Sequence, residues 1–322
     1  MTHWSSLLVL TVSLVWLPSR AAELLIPSRV EAFSQRDLGG QPLPSYQSGH
    51  VCSANSSISA FWIDHVTDGT QVEQSIHLPD SFQHRVDAVA VSFDNRIAVS
   101  AGAIDRDGRV SSVLAWFGMD GSLTRVVRTW PFTAAEIGFT ADGNLWAIGI
   151  EKLEDLTEKP VHDVLRQYSP DGNLVRSLLP RVGLLTASRH PIERALLLTS
   201  RHYAAVVSPN ASSWTLVSAQ GSVVSEGLLK PPRGFEIVLG AVTDSGRLFV
   251  EGQWENATVR ASYPPISVFE VQPDSGDLEL LDTRAALPVQ AFGKLLGSEG
   301  EDLVFHVSEK GQDSRLVWAR VR

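Results

Sequence analysis

Residues 165–180 have the sequence LRQYSPDGNLVRSLLP. An apolar segment leads into a turn at Asp171-Gly172, and a second apolar segment follows and ends at Pro180. Asp-Gly supplies the positive φ angles that a tight hairpin requires, and the flanking Leu, Tyr and Val residues suit a half-buried strand. The stretch therefore predicts two antiparallel strands joined by a tight turn.

The same pattern occurs five times along the chain, in residues 63–79, 114–131, 165–180, 216–231 and 268–288. The turn glycines of these segments are 49 to 55 residues apart, at Gly69, Gly121, Gly172, Gly221 and Gly276. A period this regular indicates a repeat architecture.

A second class of turn lies upstream in the units, in residues 93–97, 139–146, 243–249 and 298–303. Two hairpins per period give four antiparallel strands per period. No segment keeps the apolar spacing of an amphipathic helix for more than a turn or two, and Glu151 to Asp163 is expected to be a short helix or a long loop. Four-stranded units repeated around a ring form an all-β structure, the β-propeller.

The two ends of the chain determine the number of blades. The last unit, residues 291–322, has a hairpin and a third strand, and the segment Glu23 to Pro27 matches the missing fourth strand with its terminal proline. Pairing the two ends closes the ring and removes an exposed sheet edge. We therefore predict a single six-bladed β-propeller over residues 22–322, with four antiparallel strands per blade and the last blade closed by the N-terminal strand.

The turn sequences at Phe139 to Trp146 and Tyr168 to Val175 resemble the units of six-bladed propellers of the NHL, SMP-30 lactonase and TolB-like groups. The resemblance covers nearly the whole chain after the leader and implies the fold. It does not imply one function, because these motifs specify strand geometry and occur in proteins with unrelated activities.

The first 21 residues are expected to be a secretory signal peptide. Leu7 to Leu17 form an apolar run, and small residues precede a cleavage point after Ala21. No later stretch is long and apolar enough to span a membrane, so cleavage would leave a secreted or periplasmic protein without a stable membrane span. The alternative is that the leader is retained as an anchor, because no Lys or Arg precedes the apolar run.

Composition limits the classes of function. Hydrophobic residues make up 43% and charged residues 20%, which is enough apolar material for a sizeable core and excludes a disordered chain. The net charge of −9 disfavours nucleic acid as a partner. Cys52 is the single cysteine, so it is expected to be a buried free thiol.

The short motifs of common enzyme classes are absent, so any site must be assembled from single residues on several blades. Charged residues follow the terminal prolines at the expected start of the inner strands, at Glu31, Asp87, Glu136, Glu236 and Lys294. Carboxylates gathered on one axis can bind a divalent cation such as calcium, or raise the pKa of one carboxyl so that it acts as a general base. The alternative is that these residues line a water-filled channel and keep it hydrated, with the positive charge of Lys294 balancing the carboxylates.

Two further groups of residues have a structural interpretation. The histidines are scattered over different units, so a histidine metal site is not expected. Tryptophans recur on the expected third strands, where packing between blades is favoured over a sugar-binding platform, at Trp62, Trp116, Trp214 and Trp318.

Three functions are consistent with these observations. The leading interpretation is an exported, non-catalytic propeller that binds a protein, peptide or glycan through its loop faces. The alternative is a cation-dependent hydrolase, similar to a lactonase, with its site in the central channel at Glu136, Glu236, Asp87 and Glu31. A structural module of a cell-envelope assembly is the third, and the sequence does not separate it from the first.

Overall fold

The fold is a six-bladed β-propeller in which every blade is a four-stranded antiparallel sheet. The computed structural model describes residues 23–33, 44–77, 81–180, 195–209, 212–254, 267–284, 286–287, 292–308 and 314–322. The predicted leader, residues 1–21, lies outside the described residues. No helix able to span a membrane occurs in the described part of the chain.

Blades 1 to 3 follow one another along the chain, each with its strands in sequence order. Their strands are β2 (Ser45–Gln47), β3 (His50–Asn55), β4 (Ala60–His65), β5 (Gln71–Ser75), β6 (Ser81–Val91), β7 (Ile97–Asp105), β8 (Val110–Phe117), β9 (Leu123–Arg128), β10 (Phe132–Phe139), β11 (Leu145–Glu151), β12 (Asp163–Tyr168) and β13 (Leu174–Pro180).

Blades 4 to 6 continue the series, and the first strand in the chain, β1 (Leu25–Ala32), completes blade 6. The remaining strands are β14 (Leu196–Thr199), β15 (Tyr203–Ser208), β16 (Ser213–Ser218), β17 (Val223–Leu228), β18 (Phe235–Val242), β19 (Leu248–Trp254), β20 (Ser267–Val271), β21 (Leu278–Leu280), β22 (Phe292–Glu299), β23 (Asp302–Ser308) and β24 (Arg315–Val321).

The first strand of each blade is the innermost. β6 contacts β10, β10 contacts β14, β14 contacts β18, β18 contacts β22, and β22 contacts β2. The fourth strands lie at the rim and expose apolar side chains such as Leu174, Val224 and Leu228.

The core lies between the blades. The buried apolar residues that the structure describes form six clusters, and each cluster joins two adjacent blades. Trp116, Trp214 and Trp318 belong to these clusters, which confirms the predicted packing role of these three, and Trp62 is also buried. Cys52 is a buried free thiol, as expected.

The N-terminal strand closes the ring, as predicted, but it is longer than expected. β1 pairs with β24 from Leu25 opposite Val321 to Ala32 opposite Arg315. The expectation that this strand ends at Pro27 was wrong. Proline is tolerated because β1 is an outermost strand, and the register shifts between Pro27 and Arg29.

Two local expectations are resolved by the structure. The segment between β11 and β12 is a long loop rather than a helix, with an isolated bridge between Lys152 and Glu158. Blade 1 has an inner turn that the sequence did not indicate, at Ser48-Gly49, where both residues have positive φ.

Candidate functional site

In four of the blades, the innermost strand contains a β-bulge at the equivalent position. The register shifts between Val86 and Ala88, Ala134 and Glu136, Ile237 and Leu239, and Leu295 and Gly297. A bulge adds one unpaired residue and changes the direction of the side chains around it. The inserted residues are Asp87, Ala135, Val238 and Leu296, and all four line one cavity on the propeller axis.

This cavity, which we name the channel cavity, has a volume of about 300 Å³ and is lined by the inner strands of all six blades. Blades 4 to 6 contribute mainly aliphatic side chains, including Leu197, Leu239 and Leu296. Blades 2 and 3 contribute two carboxyl groups, Asp87 and Glu136. The size and the mixture of apolar walls with few polar groups are typical of a small-ligand site.

Asp87 has one engaged oxygen and one free oxygen. Its Oδ1 lies 2.8 Å from Nε of Arg85, whose side chain is largely exposed. Its Oδ2 has no hydrogen-bond partner among the described residues, although the side chain is only 13% exposed. Burial raises the pKa of Asp87, and the charges of Arg85 and Lys152 oppose that rise.

Glu136 links two blades. Its Oε2 accepts a hydrogen bond of 2.6 Å from the backbone N–H of Leu197 on β14. Burial raises the pKa of Glu136 to about 7, and this hydrogen bond opposes the rise. Near neutral pH the carboxyl group is therefore divided between its charged and neutral forms.

A second cavity of about 180 Å³ adjoins the first and shares Tyr46, Gln47 and Thr199 with it. It lies among the inner turns, which join the first and second strands of the blades, and we name it the turn-side cavity. Ser200 is only 6% exposed, and its Oγ has no hydrogen-bond partner in the described part of the chain. Gln47 Oε1 likewise has none among those residues.

Arg201 and Asp244 define the charge at the turn-side cavity. The backbone N–H of Arg201 donates to Oδ1 of Asp244 at 2.9 Å, and Arg201 Nε lies 3.7 Å from Oδ2. The guanidinium also lies over the ring of Phe93, 4.8 Å from its centre. Glu299 lines the same cavity, and its carboxylate pairs with Arg29 at 2.6 Å.

The structure separates the four carboxylates that the sequence grouped together. Asp87 and Glu136 line the same cavity, whereas Glu236 lies opposite Gln253 at the start of β18 and does not line it. The bulge between Ile237 and Leu239 places Val238 in the channel. Glu31 lies on the outermost strand of blade 6, opposite Leu316, so its placement on an inner strand was wrong.

Lys294 is also outside the lining of the channel cavity. It lies on β22 opposite His306, and its charge acts on the pKa of Glu251 and of His306. Within the described residues, no three His, Cys, Asp or Glu side chains form a group that could hold a metal ion. Cation binding in the channel stays a prediction, based on Asp87 and Glu136.

Sequence reasoning missed Glu251, a second carboxyl group that links blades. It is 8% exposed, and it accepts a hydrogen bond from the backbone N–H of Leu295 on the neighbouring blade. Burial raises its pKa to about 7, against the effects of that bond and of Lys294. The sequence signal that could have identified Glu251 is its position as a charged residue within the apolar segment from Leu248 to Gly252.

Gln47 and Ser200, which line the turn-side cavity, were also missed. Their sequence context does not distinguish them from other polar loop residues.

Comparison with known proteins supports the fold. No protein-family model and no curated protein matches the chain. A candidate exported protein from Bacteroides fragilis is similar over 94% of this chain and 94% of its own, with 12% identity and a TM-score of 0.51. A luciferin-regenerating enzyme is similar over 91% of this chain and 96% of its own, with 11% identity and a TM-score of 0.50. Likeness at these identities shows the shared propeller architecture alone.

Proposed function

We propose that the chain is an exported, non-catalytic propeller that binds a protein, peptide or glycan at its inner-turn face, with the deepest part of the ligand in the channel cavity. One observation carries the proposal. The inner strands of all six blades surround a cavity that adjoins the inner turns and is lined by two carboxyl groups, Asp87 and Glu136.

The chemistry of the lining favours binding over catalysis. Cys52 lines the channel cavity, but burial raises the pKa of its thiol, so the thiol remains protonated and weakly nucleophilic. The other lining groups are aliphatic side chains, hydroxyls, amides and the two carboxyl groups. Such groups can hold a ligand through apolar contacts and hydrogen bonds.

Export is proposed from the apolar run and the small residues before Ala21. Mass spectrometry of the N-terminus in the native host is the direct test. We expect a mature chain beginning at Ala22, recovered outside the cytoplasm. A chain that keeps Met1 and remains in the cytoplasm would contradict the proposal of export.

A variant that fills the channel tests the binding proposal. Ala135 is the bulge residue of β10 and is open to the channel cavity, so Ala135→Phe should occupy the cavity without removing a carboxylate. Val224→Phe is the matched control, because Val224 is exposed on the rim strand β17. Immobilised wild type and both variants are incubated with a random pool of acetylated hexapeptides and, separately, with an array of neutral oligosaccharides.

We expect the wild type and Val224→Phe to retain the same ligands and Ala135→Phe to retain at least ten-fold less. Retention of no peptide and no oligosaccharide would contradict the proposed function. Equal retention by Ala135→Phe would exclude the channel as the site.

A further inference from the structure

We propose that the propeller binds an extended acidic peptide at a second site, a groove on the side of blade 2 that faces blade 1. The groove lies at the end of the blade opposite the inner turns, and we name it the blade-2 groove. Its volume is about 980 Å³, and it shares no lining residue with the channel cavity or the turn-side cavity. The inference is therefore independent of the proposed function.

The lengths of the strands leave this groove open. β6, β7 and β8 of blade 2 have 11, 9 and 8 residues, whereas β3 and β4 of blade 1 have 6 each. Ala103 and Val113 belong to the apolar cluster between these two blades and also line the groove. The groove therefore begins where blade 1 no longer covers the sheet of blade 2, and its floor is apolar. Leu156, in the loop after β11, is 48% exposed and adds an apolar wall.

The register of blade 2 places two arginines on the same side of the sheet. Arg128 lies opposite Val113, and Arg109 lies four residues before Val113 along the chain. The C=O group of Arg109 accepts a hydrogen bond from the N–H of Asp105, which continues the pairing of β7 with β8. Side chains four residues apart on a strand lie on one face and are separated by about 13 Å. Both arginines line the groove, and Trp130 lines it as well.

The donors of these side chains are not used within the fold. Arg109 and Arg128 are exposed, and neither side chain forms a hydrogen bond or an ion pair with any residue that the structure describes. Trp130 is partly exposed, and its indole N–H donates to none of those residues. A guanidinium group carries five N–H donors and pairs with a carboxylate through two of them. The groove therefore suits a ligand that supplies carboxylates and carbonyl oxygens.

The carboxylates in the lining leave both arginines available. Oδ1 of Asp105 accepts hydrogen bonds from the backbone N–H groups of Asp107 and Arg109, at 2.9 and 2.8 Å, so it is engaged within its own turn. Glu154 is exposed on the loop after β11 and forms no ion pair within the described part of the chain. A carboxylate of a ligand can therefore reach either arginine without displacing an existing ion pair.

The spacing of the arginines and the apolar floor favour an extended peptide. Residues i and i+4 of an extended chain are also about 13 Å apart and point the same way, and residue i+2 lies between them on that face. Two acidic residues at i and i+4 match Arg109 and Arg128, and an apolar residue at i+2 matches the floor formed by Val113 and Val126. A small anion such as phosphate would leave that floor and Leu156 without a partner.

The test compares peptides that differ in charge or in spacing. The first is the acetylated and amidated pentapeptide Glu-Ala-Leu-Ala-Glu, the second has glutamine at both glutamate positions, and the third is Ala-Glu-Leu-Glu-Ala, whose carboxylates are only about 7 Å apart. Calorimetric titration of the intact protein at pH 7.5 measures the affinities. Salt at about 0.15 M screens the repulsion from distant charges of this acidic protein.

We expect the first peptide to bind at least ten-fold more tightly than the glutamine peptide, because glutamine cannot form the charge-assisted hydrogen bonds of a carboxylate. It should bind at least three-fold more tightly than the peptide with the shorter spacing. Equal affinity for the glutamate and glutamine peptides, or binding of neither, would overturn the inference. Equal affinity for the two spacings would overturn the assignment to this pair of arginines.

Protein variants locate the effect. Arg109→Gln and Arg128→Gln should each reduce the preference for glutamate over glutamine by at least three-fold. Arg106→Gln is the matched control, because Arg106 is exposed on the same turn as Arg109 but does not line the groove. Thermal melting checks that the variants are folded. A loss in Arg106→Gln equal to that in Arg109→Gln would overturn the groove as the site.

The indole N–H signal of Trp130 gives a readout that needs no change in either arginine. We expect this signal, assigned through Trp130→Phe, to shift in the ¹H–¹⁵N spectrum as the glutamate peptide is added, while that of the buried Trp214 stays in place. An unchanged Trp130 signal at saturation would contradict binding in the groove. Release of the peptide by an equal concentration of inorganic phosphate would overturn the peptide in favour of a small anion.

The channel-filling variant separates this inference from the proposed function. Ala135→Phe should bind the glutamate peptide as tightly as the wild type does, because the channel cavity and the blade-2 groove share no residue. Loss of this binding in Ala135→Phe would place the acidic peptide in the channel and overturn the inference. Failure of the glutamate peptide to bind, with ligands still retained in the channel, would overturn the inference and leave the proposed function standing.

Discussion

Tyr46 of blade 1 donates a hydrogen bond of 2.7 Å to Oε2 of Glu299 in blade 6. The same oxygen accepts hydrogen bonds of 2.6 Å from Nε1 of Trp318 and from Nη2 of Arg29, which lies on the N-terminal strand. The guanidinium of Arg29 also lies over the indole of Trp318, 3.6 Å from the ring centre. One carboxylate oxygen therefore connects the first blade, the last blade and the strand that closes the ring.

Removing the Tyr46 hydroxyl should weaken this connection between the blades. We expect Tyr46→Phe to lower the free energy of unfolding by about 1–2 kcal/mol, because a charged acceptor loses one of its three donors. Urea unfolding measures the change. Tyr203→Phe is the control, because no hydrogen bond of the Tyr203 hydroxyl is present within the described residues, and it should change stability little. Equal effects of the two variants would argue against the link.

Deleting residues 22–32 should destabilise the whole ring. The deletion removes β1 and leaves the outer edge of β24 unpaired, while β24 remains paired with β23 on its other side. We expect a lower melting temperature and a larger species in size-exclusion chromatography, because an open edge favours association with a second copy. An unchanged melting temperature would show that the pairing of β1 with β24 does not hold the ring closed.

The blade number and the closure were predictable because the relevant signals are local. An Asp-Gly turn between segments of alternating apolar and polar residues specifies a hairpin wherever it occurs. The spacing of Gly69, Gly121 and Gly172 gives the length of one blade, and therefore the number of blades. The incomplete last unit and the strand-like segment at Glu23 were equally visible.

The site was predicted only in part, because its geometry depends on departures from regular pairing. The bulge in β18 puts Val238 in the channel and leaves Glu236 outside its lining. Glu31 was misplaced because Pro27 was taken as the end of a strand, although an edge strand tolerates proline. Ser200 became notable only once its burial and missing partner were known.

The glycines opposite the bulges should be intolerant of side chains. A Cβ on Gly252 would lie 2.0 Å from the carbonyl oxygen of Glu236, beside the bulge that places Val238 in the channel. We expect Gly252→Ala to destabilise the fold by about 2 kcal/mol or more, because the strands must separate. Gly102→Ala is the control, since nothing lies within 4 Å of its added Cβ. Thermal melting that ranks the two variants equally would contradict the bulge geometry.

Glu251 should make the folded state less stable as the pH rises from 4.5 to 7. Burial raises the pKa of this carboxyl in the folded state to about 7, above the usual 4.5. The folded state therefore binds more protons than the unfolded state between these values, so this group stabilises the fold below pH 4.5 and loses that contribution as pH rises to 7. The loss is of the order of 2–3 kcal/mol.

Substitution isolates that contribution from the other titrating groups. Burial lowers the pKa of His50, His84 and His306, so their protonation at acid pH destabilises the folded state. This effect is the same in the wild type and in the variant. We expect urea unfolding at pH 5.5 and pH 7.5 to show that Glu251→Gln loses stability less steeply with rising pH than the wild type. Parallel behaviour of the two proteins would contradict the assignment.

Methyl NMR of a leucine-labelled sample, titrated with a peptide or oligosaccharide that the wild type retains and Ala135→Phe does not, tests the binding site most directly. We predict shifts for Leu197, Leu239 and Leu296 in the channel and none for Leu174 and Leu228 on the rim, which are 51% and 69% exposed. Shifts confined to the rim leucines, or no shifts at saturating concentrations of that ligand, would contradict a ligand site in the channel.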